Sequence, residues 1–215
     1  DVLPTVKLDG WNVSDLDAVG IALPGVINRN SISMPSSDVR DYDQGRMLER
    51  RYGVEVYIDN NSNAAAMGCY MSQLDYDTVV FHAQRTGNPN CGEGIVVDGR
   101  LAKGRLNFAG ELSHLSGRQR LTGKVHEMVW SYEGMREIVA SYLAATTCVI
   151  APDAIYVQST LVQDMDALRA EMAKIVPEQF IPPLIWVEDH RELVFLGELA
   201  LCIEKLTHPR PHRKW

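Results

Sequence analysis

Two hydrophobic rhythms alternate along the chain: short solid apolar runs that read as buried strands, and longer stretches with apolar residues three or four apart that read as helices. Residues 17–23 (DAVGIAL) stop at Pro24-Gly25, which predicts a strand and a tight turn. Residues 28–38 are rich in Ser and Asn and read as loop. Residues 43–51 suit a short helix with Gly53 just past its end as a cap. A β-type run at 54–58 leads into Asn60-Asn61-Ser62-Asn63, residue types that cap the helix favoured by Ala64-Ala65-Ala66-Met67. Residues 79–83 read as a strand and 85–92 as a turn. Asp98-Gly99 between 94–98 and 100–103 is a two-residue hairpin signal, and a loop holding Gly110-Glu111 follows. Met135, Ile138, Val139, Tyr142 and Leu143 set a helix over 134–149, which Pro152 breaks before a buried strand at 154–157. An amphipathic helix over 161–175 closed by Pro177, a short strand at 184–187 and a final helix over 195–206 complete the pattern. Strands alternating with helices predict an α/β layer fold.

Composition narrows the function classes. The 215 residues carry a net charge of -7, and 46% are hydrophobic, ordinary for a globular chain. The acidic balance argues against nucleic-acid contact by this segment, because phosphate binding needs clustered Lys and Arg. The one basic run, His208-Pro209-Arg210-Pro211-His212-Arg213-Lys214, reads as a solvated terminus. No apolar run approaches the roughly 18 residues of a membrane span, and the chain opens on Asp1 without a signal-like segment. Cys69, Cys91, Cys148 and Cys202 are scattered and show no paired metal spacing, which fits a reducing cytoplasm.

Four ordered stretches resemble the ROK family of repressors and sugar kinases: 19–26 (VGIALPGV), 52–68 (YGVEVYIDNNSNAAAMG), 92–114 (GEGIVVDGRLAKGRLNFAGELSH) and 141–159 (SYLAATTCVIAPDAIYVQS). The resemblance implies an α/β fold of the actin-like (ribonuclease H-like) sugar-kinase type with two lobes. Nothing in residues 1–18 matches the family's opening strand and phosphate loop, so the first lobe is expected to be incomplete. On that basis residues 1–59 are the remainder of the first lobe, 60–195 the second lobe with the sugar motif, and 196–215 a C-terminal helix with a basic tail.

The same resemblance sets expectations about chemistry. Where the family pattern is Glu-Asn-Asp-Ala-Asn-Ala-Ala, this chain has Asp59-Asn60-Asn61-Ser62-Asn63-Ala64-Ala65, so the catalytic base position is Asn61. An amide has no basic pKa and cannot take the sugar hydroxyl's proton; Asp59 would have to point the other way along the chain to compensate. The second phosphate loop, Gly-Thr-Gly-Ile-Gly in the family, is Asn88-Pro89-Asn90-Cys91-Gly92 here, and the nucleotide turn Gly-Gly is Gln158-Ser159. Proline removes an amide donor, and lost glycines prevent close backbone approach to phosphate. The family's zinc-binding cysteines after the motif histidine are replaced by Ser116-Gly117-Arg118-Gln119-Arg120-Leu121-Thr122-Gly123. No catalytic residue, cofactor or metal is therefore expected.

The surviving motif, Gly110-Glu111-Leu112-Ser113-His114, makes Glu111 and His114 candidate sugar ligands, with Asn60 and Asn61 adding amide contacts; the alternative is that Glu111 and His114 only staple a loop. The resemblance also makes Glu127 a candidate stand-in for the family's later sugar glutamate. Trp130, Tyr132 and Trp186 are either stacking platforms or core, and Arg118-Gln119-Arg120 reads as solvated loop. The expected partners are a monosaccharide or sugar phosphate and a second copy of the chain, without membrane. Three functions compete: a non-catalytic sugar-sensing module of a transcriptional regulator, an active kinase of the glucokinase or N-acetylmannosamine kinase type, and a scaffold that only oligomerises.

Overall fold

The computed structural model of the chain describes residues 15–28, 31–34, 39–115 and 121–208. Its centre is a five-stranded sheet in the order β7-β6-β5-β8-β9, built from β5 (Val79–Gln84), β6 (Cys91–Val97), β7 (Arg100–Leu101), β8 (Ala154–Ser159) and β9 (Leu184–Trp186). β5, β8 and β9 run parallel, while β6 is antiparallel to both of its neighbours, β5 and β7. Alternate residues face opposite sides of a strand. Val80, Ile155 and Val157 meet α4 (Tyr132–Ile150) and α5 (Met165–Met172) through Ile138, Leu143 and Leu168. Val79, Phe81 and Tyr156 meet α2 (Asn61–Met71) and α6 (Arg191–Thr207) through Ala65, Cys69 and Leu201. Helices on both faces are what a sheet with a parallel core requires.

A second, smaller sheet pairs β1 (Ala18–Leu23) in parallel with β4 (Glu55–Asn60). One face buries Val56 and Ile58 against Ile27 and Ile32. The other carries Gly20 and Asp59 beneath α6. α1 (Gln44–Tyr52) is capped by the Asp43 side chain and ends on Gly53.

Two expectations about elements are corrected, and one element is added. Residues 28–38, read as loop, contain a strand: β3 (Ser31–Ser33) pairs antiparallel with β2 (Val26–Asn28). Its flanking serines mask the one apolar residue, Ile32, that enters the core. The helix expected over 161–175 is only α5. Ser159 Oγ accepts from Val162 N–H to make a turn first, and Asp164 then caps the helix by accepting from Ala167 N–H. A short helix α3 (Val125–Met128) was not anticipated.

α2 and α6 cross at backbone contact. A Cβ on Gly197 would stand 1.8 Å from Ala64 O, and one on Gly68 2.0 Å from Leu193 O. Neither helix can carry a methyl at the crossing, so α2 is locked along its length. Its N-terminus is where the sugar-motif residues gather.

Candidate functional site

Asn60 ends β4 and begins α2. Its Oδ1 accepts from Ser62 N–H (2.8 Å) and Asn63 N–H (3.2 Å), and its Nδ2 donates to Gly25 O (2.7 Å). The side chain thus caps the helix and ties it to the turn after β1. Asn61 is the first residue of the helix, and among the described residues no hydrogen bond engages its side chain. Opposite it, Gly110 adopts a left-handed φ of 89° with its Cα against the β6 backbone; a Cβ there would meet Glu93 O at 2.0 Å. Glu93 N–H donates to Gly110 O, and a 3-10 turn at Leu112–His114 follows. That turn presents Glu111 and His114 together. Burial raises the Glu111 carboxyl above its ordinary range, against the pull of His114. The His114 ring lies 5.4 Å from Phe108.

All four sugar candidates, Asn60, Asn61, Glu111 and His114, line one concavity of about 230 Å³. Asn60 contributes architecture, since both ends of its amide are engaged within the fold. Among the described residues, no side-chain hydrogen bond engages Asn61, Glu111 or His114. Asp59 is elsewhere. It lies on the opposite side of β4, 2% exposed, with Lys103 Nζ at 2.5 Å and Lys205 Nζ at 3.3 Å. Burial pushes its carboxyl up, but the two ammonium groups outweigh that and hold it below the usual carboxylate range. A carboxylate so placed cannot act in the concavity.

The segment at the expected phosphate loop satisfies itself. Asn88 N–H donates to Arg85 O, residue 89 is proline, and Asn90 N–H donates to the Asn88 side chain. The buried Gln84 amide donates to Asn88 O (2.6 Å) and Asn90 O (3.3 Å), and Cys91 and Gly92 are paired in β6. Few N–H groups remain for a phosphate. Gln158 lines the concavity, and Ser159 Oγ is held by its own turn.

The remaining candidates fall outside the concavity. Trp130 rests its ring against Gly87, Tyr132 lies beneath the Arg136 guanidinium, and Trp186 Nε1 donates to Ser159 O. Glu127 is exposed beside Lys124 and His126. Arg118-Gln119-Arg120 and the tail beyond His208 lie outside the described residues. Among the described residues there is no group of three or more metal-ligating side chains, all four cysteines are free thiols, and no helix is long and apolar enough to cross a membrane.

Two polar clusters escaped the sequence. His82 and Glu93 are register partners on β5 and β6, fully buried; Nδ1 lies 3.0 Å from Glu93 Oε1, and Thr146 donates to Oε2 at 2.7 Å. Only the hairpin register would have paired them. Glu198 of α6 is buried over Gly20, and burial together with the Asp59 charge pushes its carboxyl up to about 7. The sequence contained no signal for this, because it depends on how α6 lies across β1.

Known proteins resemble this chain in sequence and in fold. The xylose repressor of Bacillus subtilis is 30% identical over 105 residues, which cover 47% of this chain and 27% of the repressor. The chain thus matches little more than a quarter of that relative's length. The ROK hexokinase of Thermus thermophilus superposes with a TM-score of 0.67 at 18% identity, covering 88% of this chain and 80% of the hexokinase. The ROK family glucokinase of Streptomyces griseus, solved with glucose and AMPPNP, gives 0.63 at 21%, covering 87% and 81%. The sequence profile of the ROK family itself matches residues 10–127. With more than half its length under that profile and its sheets and helices arranged as in those kinases, the chain belongs to the ROK family and has its actin-like α/β fold.

Proposed function

We propose that this chain is a non-catalytic, sugar-recognising ROK module, the effector-binding and dimerising part of a bacterial transcriptional regulator. One observation carries the proposal: an amide, Asn61, stands at the head of α2 facing Glu111 and His114, while the adjacent carboxylate Asp59 faces away into two lysines. Hydroxyl recognition needs a few convergent polar groups in a concave site, and these three supply them. Phosphoryl transfer also needs a proton acceptor near the attacking hydroxyl, whose loss costs about 10²–10⁴ in rate. Phosphate-binding backbone is also scarce, for the reasons given at Asn88 to Asn90. The likeness to a xylose repressor supports the regulatory side of the reading.

Likeness to a hexokinase and a glucokinase keeps a sugar kinase as the second reading. Calorimetric titration with a monosaccharide panel, run beside a coupled ADP-release assay, separates the two. Saturable heat with at least one sugar and no sugar-dependent ADP release is the expected result. Turnover that Asp59→Ala abolishes would establish the kinase instead. Silence across the panel would end the sensing proposal. Homodimerisation is tested separately by light scattering, where a monomer at micromolar concentration would remove that part.

A further inference from the structure

We infer that Glu93 is the positioning residue of the concavity: clamped by His82 and Thr146, it fixes the gap between Asn61 at the head of α2 and the turn that carries Glu111 and His114. The inference rests on the sugar reading above only for what that gap receives.

Both walls of the concavity rest on three consecutive residues of β6, Gly92, Glu93 and Gly94. The first wall is the head of α2. A Cβ on Gly94 would stand 2.0 Å from Ser62 O, and one on Gly92 3.2 Å from Ser62 Oγ, so the first turn of α2 lies on the β6 backbone itself. The second wall is the Gly110 turn. β7 pairs with β6 only at Val96 and Val97, which leaves the start of that edge to Gly110. Glu93 N–H donates to Gly110 O at 3.0 Å, and the Glu93 carbonyl lies against the Gly110 Cα. Asn61 precedes Ser62 and Glu111 follows Gly110, so a polar residue of each wall is one position from its contact with β6.

Between its two glycines, Glu93 turns its side chain to the opposite face of the strand, where it is buried. Thr146 of α4 donates to Oε2 at 2.7 Å, and His82 Nδ1 of β5 lies 3.0 Å from Oε1. A buried carboxyl is costly unless its oxygens are answered. Here each oxygen has a partner on a different element. A buried pair of this kind adds little net stability over an apolar pair, because desolvation offsets the attraction. What it adds is a fixed position. β6 cannot slide or roll against β5 and α4 without breaking one of the two contacts, and any such movement would carry both walls with it. Glu93, His82 and Thr146 all lie outside the lining of the concavity, so they act on it through the β6 backbone.

The test uses the intact chain with Thr146→Val, Thr146→Ser and Thr147→Val. Thr147 is the adjacent buried threonine, whose hydroxyl donates to Leu143 O within α4, so its loss weakens the fold without touching Glu93. The readouts are the His114 ring and Asn61 side-chain resonances of the free protein, the melting temperature, and calorimetric affinity for glucose, xylose and N-acetylglucosamine. Thr146→Val should shift both sets of resonances and weaken binding of any sugar the parent takes by about 3- to 10-fold, the effect of one hydrogen bond. Thr146→Ser, which keeps the hydroxyl, should restore both. Thr147→Val should lower the melting temperature and leave resonances and affinity as in the parent. Should Thr146→Val not fold, Glu93→Gln takes its place, since a glutamine offers one acceptor oxygen where the carboxyl has two. Parental resonances in Thr146→Val, or equal shifts in Thr147→Val, would overturn the inference. If no sugar binds the parent, the sugar reading fails, while the resonances still decide whether Glu93 fixes the gap.

Discussion

Adjacent asparagines 60 and 61 divide two tasks between chemically identical side chains. Asn60 is engaged at both ends of its amide, so Asn60→Ala removes the α2 cap and the tie to Gly25. A loss of about 1–2 kcal/mol in urea unfolding is expected. Asn61 supports nothing within the described fold, so Asn61→Ala should stay within about 0.5 kcal/mol of the parent while weakening sugar binding; equal destabilisation by both changes would contradict the division. Glu198 sets a pH dependence. Its folded value of about 7 lies above the ordinary 4.5, so folding favours the protonated form. That contribution is complete below the unfolded value and is lost as pH rises through about 7. The groups facing it are Asp59 on β4, Lys103 beyond β7, and Lys205 and Cys202 on α6. Asp59 acts in the opposite sense, stabilising above its ordinary 3.8 and failing in acid. Glu198→Gln should therefore melt higher than the parent at about pH 8 and no higher at about pH 4. A gain that does not vary with pH would refute the assignment.

At the scale of elements, ends decided by neighbouring residues are legible in the sequence and ends decided by distant ones are not. Asp43 and Gly53 bracket α1 as expected, and Asp98-Gly99 joins β6 to β7, because the atoms that decide those ends lie within a few residues. α5 begins late because Ser159 and Asp164 draw the intervening backbone into a turn, and β3 escaped notice because one isoleucine between serines has no visible rhythm. The crossing of α2 and α6 was equally hidden, since its glycines lie 129 positions apart (Gly68 and Gly197) and meet only in the fold. Gly197→Ala should be strongly destabilising, because the methyl would press on a backbone carbonyl that has nowhere to move. A lowered melting temperature is expected, larger than for Gly53→Ala, where a Cβ meets open space. Comparable effects would mean the helices can separate.

For the whole molecule, ordered resemblance at four stretches was enough to indicate the fold, and the family match and superpositions agree. Membership of the concavity was legible for Asn60, Asn61, Glu111 and His114, because their motifs are contiguous. That Arg85 and His190 line the same concavity was not, because it follows from a strand order with only β8 between β5 and β9, and sequence distance conceals it. The same view bears on phosphoryl transfer. Asn61→Asp restores a carboxylate at the head of α2, yet Pro89 and the inward-turned Asn90 N–H still leave a phosphate without its donors. No sugar-dependent ADP release is expected from that variant; measurable turnover would show that the base alone had been lacking.

The backbone contact between α2 and α6 also bears on descent. Where a carbonyl stands 1.8 Å from an imagined methyl, every substitution adds matter to occupied space, and selection for folding alone is enough to hold the residue. Asn61 and Gln158 are under no such packing confinement, so only a role toward a bound ligand would hold them. Packing alone preserves the place where two helices touch, whatever becomes of the side chains that line the concavity.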